Sequence, residues 1–160
     1  MTHNIYDTLK QLNIPYTEYT HPAVFTCEES DIHCKHVPGG KSKNLFLRNK
    51  KGDKHYLVTL PATKRADLKN LAHLVNESGL SFASPERLMK YIGVTPGSVT
   101  VLGLINYTNK EVTVIIDEDL WKQDSLQYHP LPNTATLVIA RDDVKKFLEW
   151  TGQRVLYLTL

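Results

Sequence analysis

Cysteine is scarce in this chain: only Cys27 and Cys34 occur in 160 residues. Two thiols close together cannot form a wider disulfide framework, so they are expected to be reduced. Long apolar runs are also missing. None approaches the twenty or so residues that cross a bilayer, and the amino terminus shows no basic segment followed by an apolar one. The expectation is a soluble cytoplasmic protein with no membrane partner. Neither a phosphate-cradling Gly-x-x-x-x-Gly-Lys nor a dinucleotide Gly-x-Gly-x-x-Gly is present, which leaves a nucleotide-driven motor or a dehydrogenase without footing. Strong charge is lacking too. A formal net charge of +2 is too small for a protein that tracks along DNA, so no DNA partner is expected.

What is present suffices for one globular domain over residues 1–160, with a core that needs no staples. Ile5, Leu9 and Leu12 mark one face of an opening helix that stops before Pro15, and Tyr16 to Thr20 reads as a strand. Thr26 with Glu29 forms a capping box for a short helix running to about Lys35. Pro38-Gly39-Gly40 breaks it and leads into the strand Lys43-Asn44-Leu45-Phe46-Leu47-Arg48. The turn Asn49 to Asp53 and the strand His55 to Leu60 complete a hairpin. Leu68, Leu71, Leu74 and Val75 line the expected buried side of a helix after Asp67. Ser84 and Pro85 supply the cap and first turn of another, which ends near Gly93.

The second half is richer in β-branched runs. Val99 to Leu104, Glu111 to Asp117 and Ala135 to Ala140 read as strands, with a turn over Asn106 to Lys110. Asp142 is the expected cap of a last helix whose Val144, Phe147 and Leu148 point inward before Gly152, and Arg154 to Leu160 is a final strand. Hairpins mixed with helices, without strict alternation, predict an α+β class: a mixed, mainly antiparallel sheet flanked by helices.

Charge is concentrated locally. Residues 35 to 54 hold Lys35, Lys41, Lys43, Arg48, Lys50, Lys51 and Lys54 against the single acid Asp53. A patch of this size suits a short anionic stretch, such as one end of an RNA, or else a solvated hairpin. Lys43 stands out within it. Period-two alternation puts Lys43, Leu45 and Leu47 on one face, so a cation shares a side with two leucines. Such a lysine either snorkels to solvent or meets an anion.

Three constellations have chemical potential. Lys43 and Asn44 open a strand that follows a glycine-rich turn. Gly97-Ser98-Val99-Thr100-Val101-Leu102-Gly103 is either a plain turn or a place where free amide groups meet an oxyanion. His129-Pro130-Leu131-Pro132-Asn133-Thr134 is a proline-stiffened loop that fixes an imidazole and an amide before a strand. Other combinations are weaker. Cys27, His33, Cys34 and His36 lack common zinc spacing, so no metal and no other cofactor is expected. A cysteine nucleophile has no positioned base in the pattern, and neighbouring Ser42 and Lys43 point to opposite faces of a strand.

Taken together these segments resemble the freestanding prolyl-tRNA editing proteins, part of the YbaK and prolyl-tRNA synthetase-associated editing domain family. The resemblance is carried by His21-Pro22-Ala23-Val24-Phe25-Thr26 with Glu28-Glu29, Lys43 to Arg48, Asp67-Leu68-Lys69, Leu80 to Ser84, Pro96-Gly97-Ser98-Val99, and His129-Pro130 with Asn133-Thr134. It implies a single aminoacyl-tRNA editing domain that hydrolyses the ester of a wrongly charged amino acid on tRNA(Pro). Alanyl-tRNA(Pro) is the expected substrate, with cysteinyl, seryl or threonyl esters and a catalytically weak binding module as alternatives. By that likeness Lys43, Asn44 and His129 are the catalytic set, and Gly97, Ser98, Val99 and Asn133 bind substrate. Phe25, Ile32, Leu45 and Leu47 wall the amino acid pocket. Lys41, Arg48, Lys50 and Lys51, with Lys64 and Arg65 beyond them, face the acceptor end of the tRNA, and prolyl-tRNA synthetase is a second partner. Two departures from the family pattern stand out. Val101 follows Thr100 where relatives end the loop in proline, and Ile105-Asn106-Tyr107 replaces an Ile-Asn-Asp.

Overall fold

A computed structural model describes residues 4–20, 39–96, 98–106, 112–130 and 134–160. Helix α1 (Ile5–Gln11) starts where the Asn4 side chain accepts from the Tyr6 amide, and it buries Ile5 and Leu9. Strands β1 (Thr17–Thr20), β2 (Gly40–Asn49) and β3 (His55–Pro61) follow. Between β2 and β3 the Asn49 amide side chain closes the turn, accepting from the Asp53 and Lys54 amides while Gly52 adopts a φ of 74°. Helix α2 (Leu68–Leu74) is capped by Asp67, and β4 (Leu80–Phe82) precedes α3 (Pro85–Ile92). Ser84 caps α3 at one end and left-handed Gly93 ends it at the other, as the sequence predicts. Strand β5 (Val112–Asp117), helix α4 (Glu118–Trp121), β6 (Ser125–Tyr128), β7 (Ala135–Ala140), α5 (Arg141–Thr151) and β8 (Arg154–Leu158) complete the described elements.

The strands form one mixed sheet in the order β1-β7-β6-β2-β3-β5-β8, with β4 added beside β2. Four pairings are antiparallel (β1 with β7, β2 with β3, β2 with β4, β6 with β7), and β2 with β6, β3 with β5 and β5 with β8 are parallel. Alternation sorts the strand residues into two cores. Phe46, Leu57, Val114 and Ile116 meet α1, α3, α4 and α5 on one face, where Leu9, Ile92, Leu120 and Phe147 are buried. Leu47, Tyr56, Val58, Leu60 and Ile115 meet Leu71 of α2 on the other.

The structure corrects several expectations. Val101–Asn106 is a short 3-10 helix, not a strand. Val101, Leu102, Leu104 and Ile105 are all buried, so the segment has no solvent face to give it period two. The Thr100 hydroxyl accepts from the Leu102 amide at 3.3 Å and starts the turn, and a side chain at Gly103 would press on the Ile92 carbonyl. Helix α5 begins at Ala140 with no side-chain cap, because β7 runs straight into it and leaves no loop residue for that role; Asp142 lies in the first turn. Of the predicted stripe, Leu71 is buried and Leu68 and Val75 pack beside it, whereas Leu74 is 40% exposed. Short β4, α4 and β6 were not predicted. The expected helix from Thr26 to Lys35 and most of the expected turn from Asn106 to Lys110 lie outside the described residues.

Candidate active site

One edge of β2 is taken by β3 along its length, from Ser42 opposite Pro61 to Arg48 opposite His55. The other edge is split. There β6 pairs only with Gly40 and Lys41, and β4 only with Leu47 to Asn49. Two bonds mark the limits of the split: the Ser42 hydroxyl donates to the Gln127 carbonyl at 2.9 Å, and the Ala83 amide donates to the Phe46 carbonyl at 3.0 Å. Among the described residues no strand lies alongside Lys43, Asn44 and Leu45 on this edge. Backbone amides and carbonyls in such a gap are open to a ligand.

Lys43 is half-buried at the mouth of the gap, opposite Leu60, and no hydrogen bond or ion pair engages its amine among the described residues. Asn44 faces the opposite side of the sheet, opposite Thr59. Its Oδ1 is buried without a donor among the described residues. An unmet acceptor of this kind costs on the order of 1–3 kcal/mol, which a bound N–H or O–H would relieve. Thr59, wholly buried within the run Tyr56 to Leu60, exchanges a 3.1 Å hydrogen bond with the Tyr128 hydroxyl. Burial pushes that hydroxyl well above its ordinary pKa, so it stays protonated.

His129 follows Tyr128 directly. Lys43 lies two residues past Lys41 and His129 two past Gln127, and Lys41 with Gln127 is the last rung of the parallel ladder. Both therefore stand just beyond the point where β2 and β6 part. The imidazole is half-buried and bound on both sides: Nδ1 lies 2.7 Å from the Pro130 carbonyl and Nε2 3.0 Å from the Val99 carbonyl. A neutral ring carries one N–H, so both carbonyls are met as acceptors only when both nitrogens are protonated. The Thr100 hydroxyl returns the link by donating to the His129 carbonyl at 2.8 Å. His129 is thus tied to the Ser98–Thr100 segment, itself folded by a bond from the Ser98 amide to the Thr95 carbonyl.

The fold brings Lys43, Asn44, His129, Ser98 and Val99 to one region, with Thr100 of the same Gly97–Gly103 constellation, and adds Thr59 and Tyr128, which sequence reasoning missed. A polar residue inside the apolar run Tyr56 to Leu60 was the available signal for Thr59. Leu45 is half-buried beside the gap, whereas Leu47 is enclosed beneath α2. Phe25, Ile32, Gly97 and Asn133 lie outside the described residues, as do Cys27, His33, Cys34 and His36. The cationic residues are spread along β2. Lys41 adjoins the gap, Lys50 and Lys51 are exposed at the far turn, and Arg48 is held by the Asn49 and Lys50 carbonyls. Lys64 is occupied by Asp117 and Asp119, each at 2.7 Å, which raises the pKa of its amine.

The family model described as an aminoacyl-tRNA editing domain matches residues 21–147. The chain belongs to the aminoacyl-tRNA editing domain family. Its similarity to the prolyl-tRNA editing protein ProX of Acetoanaerobium sticklandii is 39% identity over 145 residues, covering 90% of this chain and 88% of that one. A prolyl-tRNA synthetase associated domain-containing protein of Danio rerio is 36% identical over 145 residues, covering 89% and 78%. A solved structure described as a candidate trans-editing enzyme for prolyl-tRNA synthetase superposes with a TM-score of 0.71 at 21% identity, covering 98% and 94% of the two chains, a likeness of fold. In this editing domain the matched region includes the split edge of β2, the Ser98–Thr100 segment and His129. No helix among the described residues is long and apolar enough to cross a membrane.

Proposed function

We propose that this protein clears mischarged tRNA(Pro) in trans, in the cytoplasm, by hydrolysing the ester between the amino acid and the terminal ribose, and that alanyl-tRNA(Pro) is its substrate. The observation that carries the reading is the open stretch of β2 at Lys43, set beside His129 and the Ser98–Thr100 segment in a chain of the editing family. Kinship with ProX supports the choice of tRNA.

An aminoacyl ester is already activated, so its hydrolysis needs position and charge stabilisation more than a strong nucleophile. Water adds to the ester carbonyl, the bond to the ribose oxygen breaks, and that oxygen leaves with a proton. Lys43 supplies the cation that holds the terminal phosphate or the ester oxygens. The Val99 backbone amide meets the charge that develops on the carbonyl oxygen, and Asn44 Oδ1 accepts from a substrate N–H or O–H. The substrate's own ribose hydroxyl helps to place the water. With both nitrogens engaged, His129 serves by fixing the Val99 carbonyl and hence the wall of the site. Proline is rejected by a clash of its ring with that wall and with Leu45, because one methylene in an apolar pocket discriminates by only about 1–3 kcal/mol. Prolyl-tRNA synthetase is the partner that supplies the mischarged product.

Initial rates on alanyl-, cysteinyl-, seryl-, threonyl- and prolyl-tRNA(Pro) test the proposal. The alanyl ester is expected to be cleared fastest and the prolyl ester to persist. Tight tRNA binding with every ester decaying at its uncatalysed rate would instead make the protein a binding module.

A further inference from the structure

A second pocket, of about 250 Å³, opens at the carboxyl ends of β3 and β5, where Gly40 and Lys41 enter β2. It is lined by Lys41, Pro61, Thr63, Asp119 and Gln123. None of these residues belongs to the reaction described above. Lys41 lies on the same strand as Lys43 and on the same face, two residues and about 7 Å away. The pocket is therefore one short step from Lys43, where the terminal phosphate or the ester oxygens are proposed to sit.

Its walls suit a particular chemistry. Asp119 offers a carboxylate that Lys64 and Lys122 hold ionised, its pKa lowered chiefly by the hydrogen bond from Lys64. An ionised carboxylate accepts from an exocyclic amine, which is how aspartate and glutamate read cytosine. Thr63 and Gln123 add donors and acceptors, Pro61 and Ala62 add apolar surface, and Lys41 in the lining supplies a cation for a backbone phosphate. The volume of about 250 Å³ is ample for a single pyrimidine. Gly40 fits the same picture: a side chain there would strike Gln123, so the glycine lets Gln123 close the floor.

We infer that this pocket receives the base of the nucleotide immediately before the terminal adenosine, a cytosine in the 3′-CCA end that every tRNA shares, with Asp119 accepting from its exocyclic amine. The inference rests on the proposed function, which sets the terminal phosphate or the ester oxygens at Lys43, yet its test does not need hydrolysis. The trinucleotides 5′-CCA-3′ and 5′-CUA-3′ are titrated into the full chain at millimolar concentration, and backbone amide resonances are followed. CCA is expected to shift Thr63, Asp119 and Gln123 and to bind about tenfold more tightly than CUA, which presents a carbonyl to Asp119 in place of the amine. Asp119→Asn and the pocket-filling Thr63→Trp each erase that preference. Equal binding of the two trinucleotides, no shifts at these residues, or an unchanged preference in both variants overturns the inference. None of these results bears on whether the ester is cut, which the deacylation rates decide separately.

Discussion

At the scale of single residues, two histidines show how surroundings set a role. His55 is buried between Phe46 and Tyr91, its ring 3.9 Å from that of Tyr91, with the Arg87 guanidinium 2.9 Å from its Nε2. Burial first, and then Arg87 and Arg48, lower its pKa to about 4. The unfolded chain therefore takes up a proton near pH 6.5 that the native chain refuses until about pH 4, so stability falls as pH drops through that window. The loss amounts to about 3 kcal/mol. Urea denaturation midpoints measured from pH 7 to pH 4 are expected to decline in the wild type and to flatten in His55→Gln, which keeps an acceptor for Arg87 without the titration. His129 is expected to behave differently. Because it holds the Val99 and Pro130 carbonyls, His129→Gln, whose single amide nitrogen can still donate to one of them, keeps more deacylation activity than His129→Ala; a general-base role would leave both equally inactive. Alternation along β2 made Lys43 conspicuous from the sequence alone. The Thr59–Tyr128 pair was not, since the residues are 69 apart and only the tertiary fold joins them.

Elements that rest on local rules were the legible ones. The Asp67 and Ser84 caps, the Gly93 and Gly152 stops and the β2–β3 hairpin each follow from a few neighbouring residues. Val101–Asn106 was misread because composition favours a strand wherever β-branched residues gather, while total burial and the Thr100 hydroxyl favour a tight helix. That helix begins one residue after Thr100, which binds the His129 carbonyl, so the change of element bears directly on the site. It also bears on Val101: the position where the family resemblance leads one to expect proline is the first residue of a buried helical turn, with 0% exposure. Helix α5 offers an element-scale prediction. Ala140 occupies its N-cap without a side-chain bond, and replacing it by Ser or Asp supplies an acceptor worth about 1 kcal/mol. Calorimetry is expected to show Tm rising by about 2–4 °C; an unchanged or lower Tm contradicts the assignment of the cap.

For the molecule as a whole, what the fold adds to the sequence is the division of the cationic patch. Seven basic residues crowd into positions 35–54, but along β2 the turn lysines Lys50 and Lys51 stand roughly 24 Å from Lys43. The arrangement suits an acceptor end gripped at the gap and touched again farther along, not a single cluster around one phosphate. Few phosphates are neutralised, so the salt dependence of tRNA binding is expected to be shallow, with a slope in log–log form of about −2 to −3. Lys50→Ala with Lys51→Ala is expected to weaken binding and flatten that slope without changing the single-turnover rate at saturation. Sheet order was the least legible feature, because parallel β2–β6, β3–β5 and β5–β8 join strands distant in the chain. That order creates the gap. Single-turnover hydrolysis of alanyl-tRNA(Pro) by the wild type and by Lys43→Ala, with tRNA affinity and Tm measured on the same samples, tests the central claim most directly. The account predicts at least a hundredfold loss of rate in Lys43→Ala with Tm unchanged; a variant that still clears the ester at the wild-type rate contradicts it.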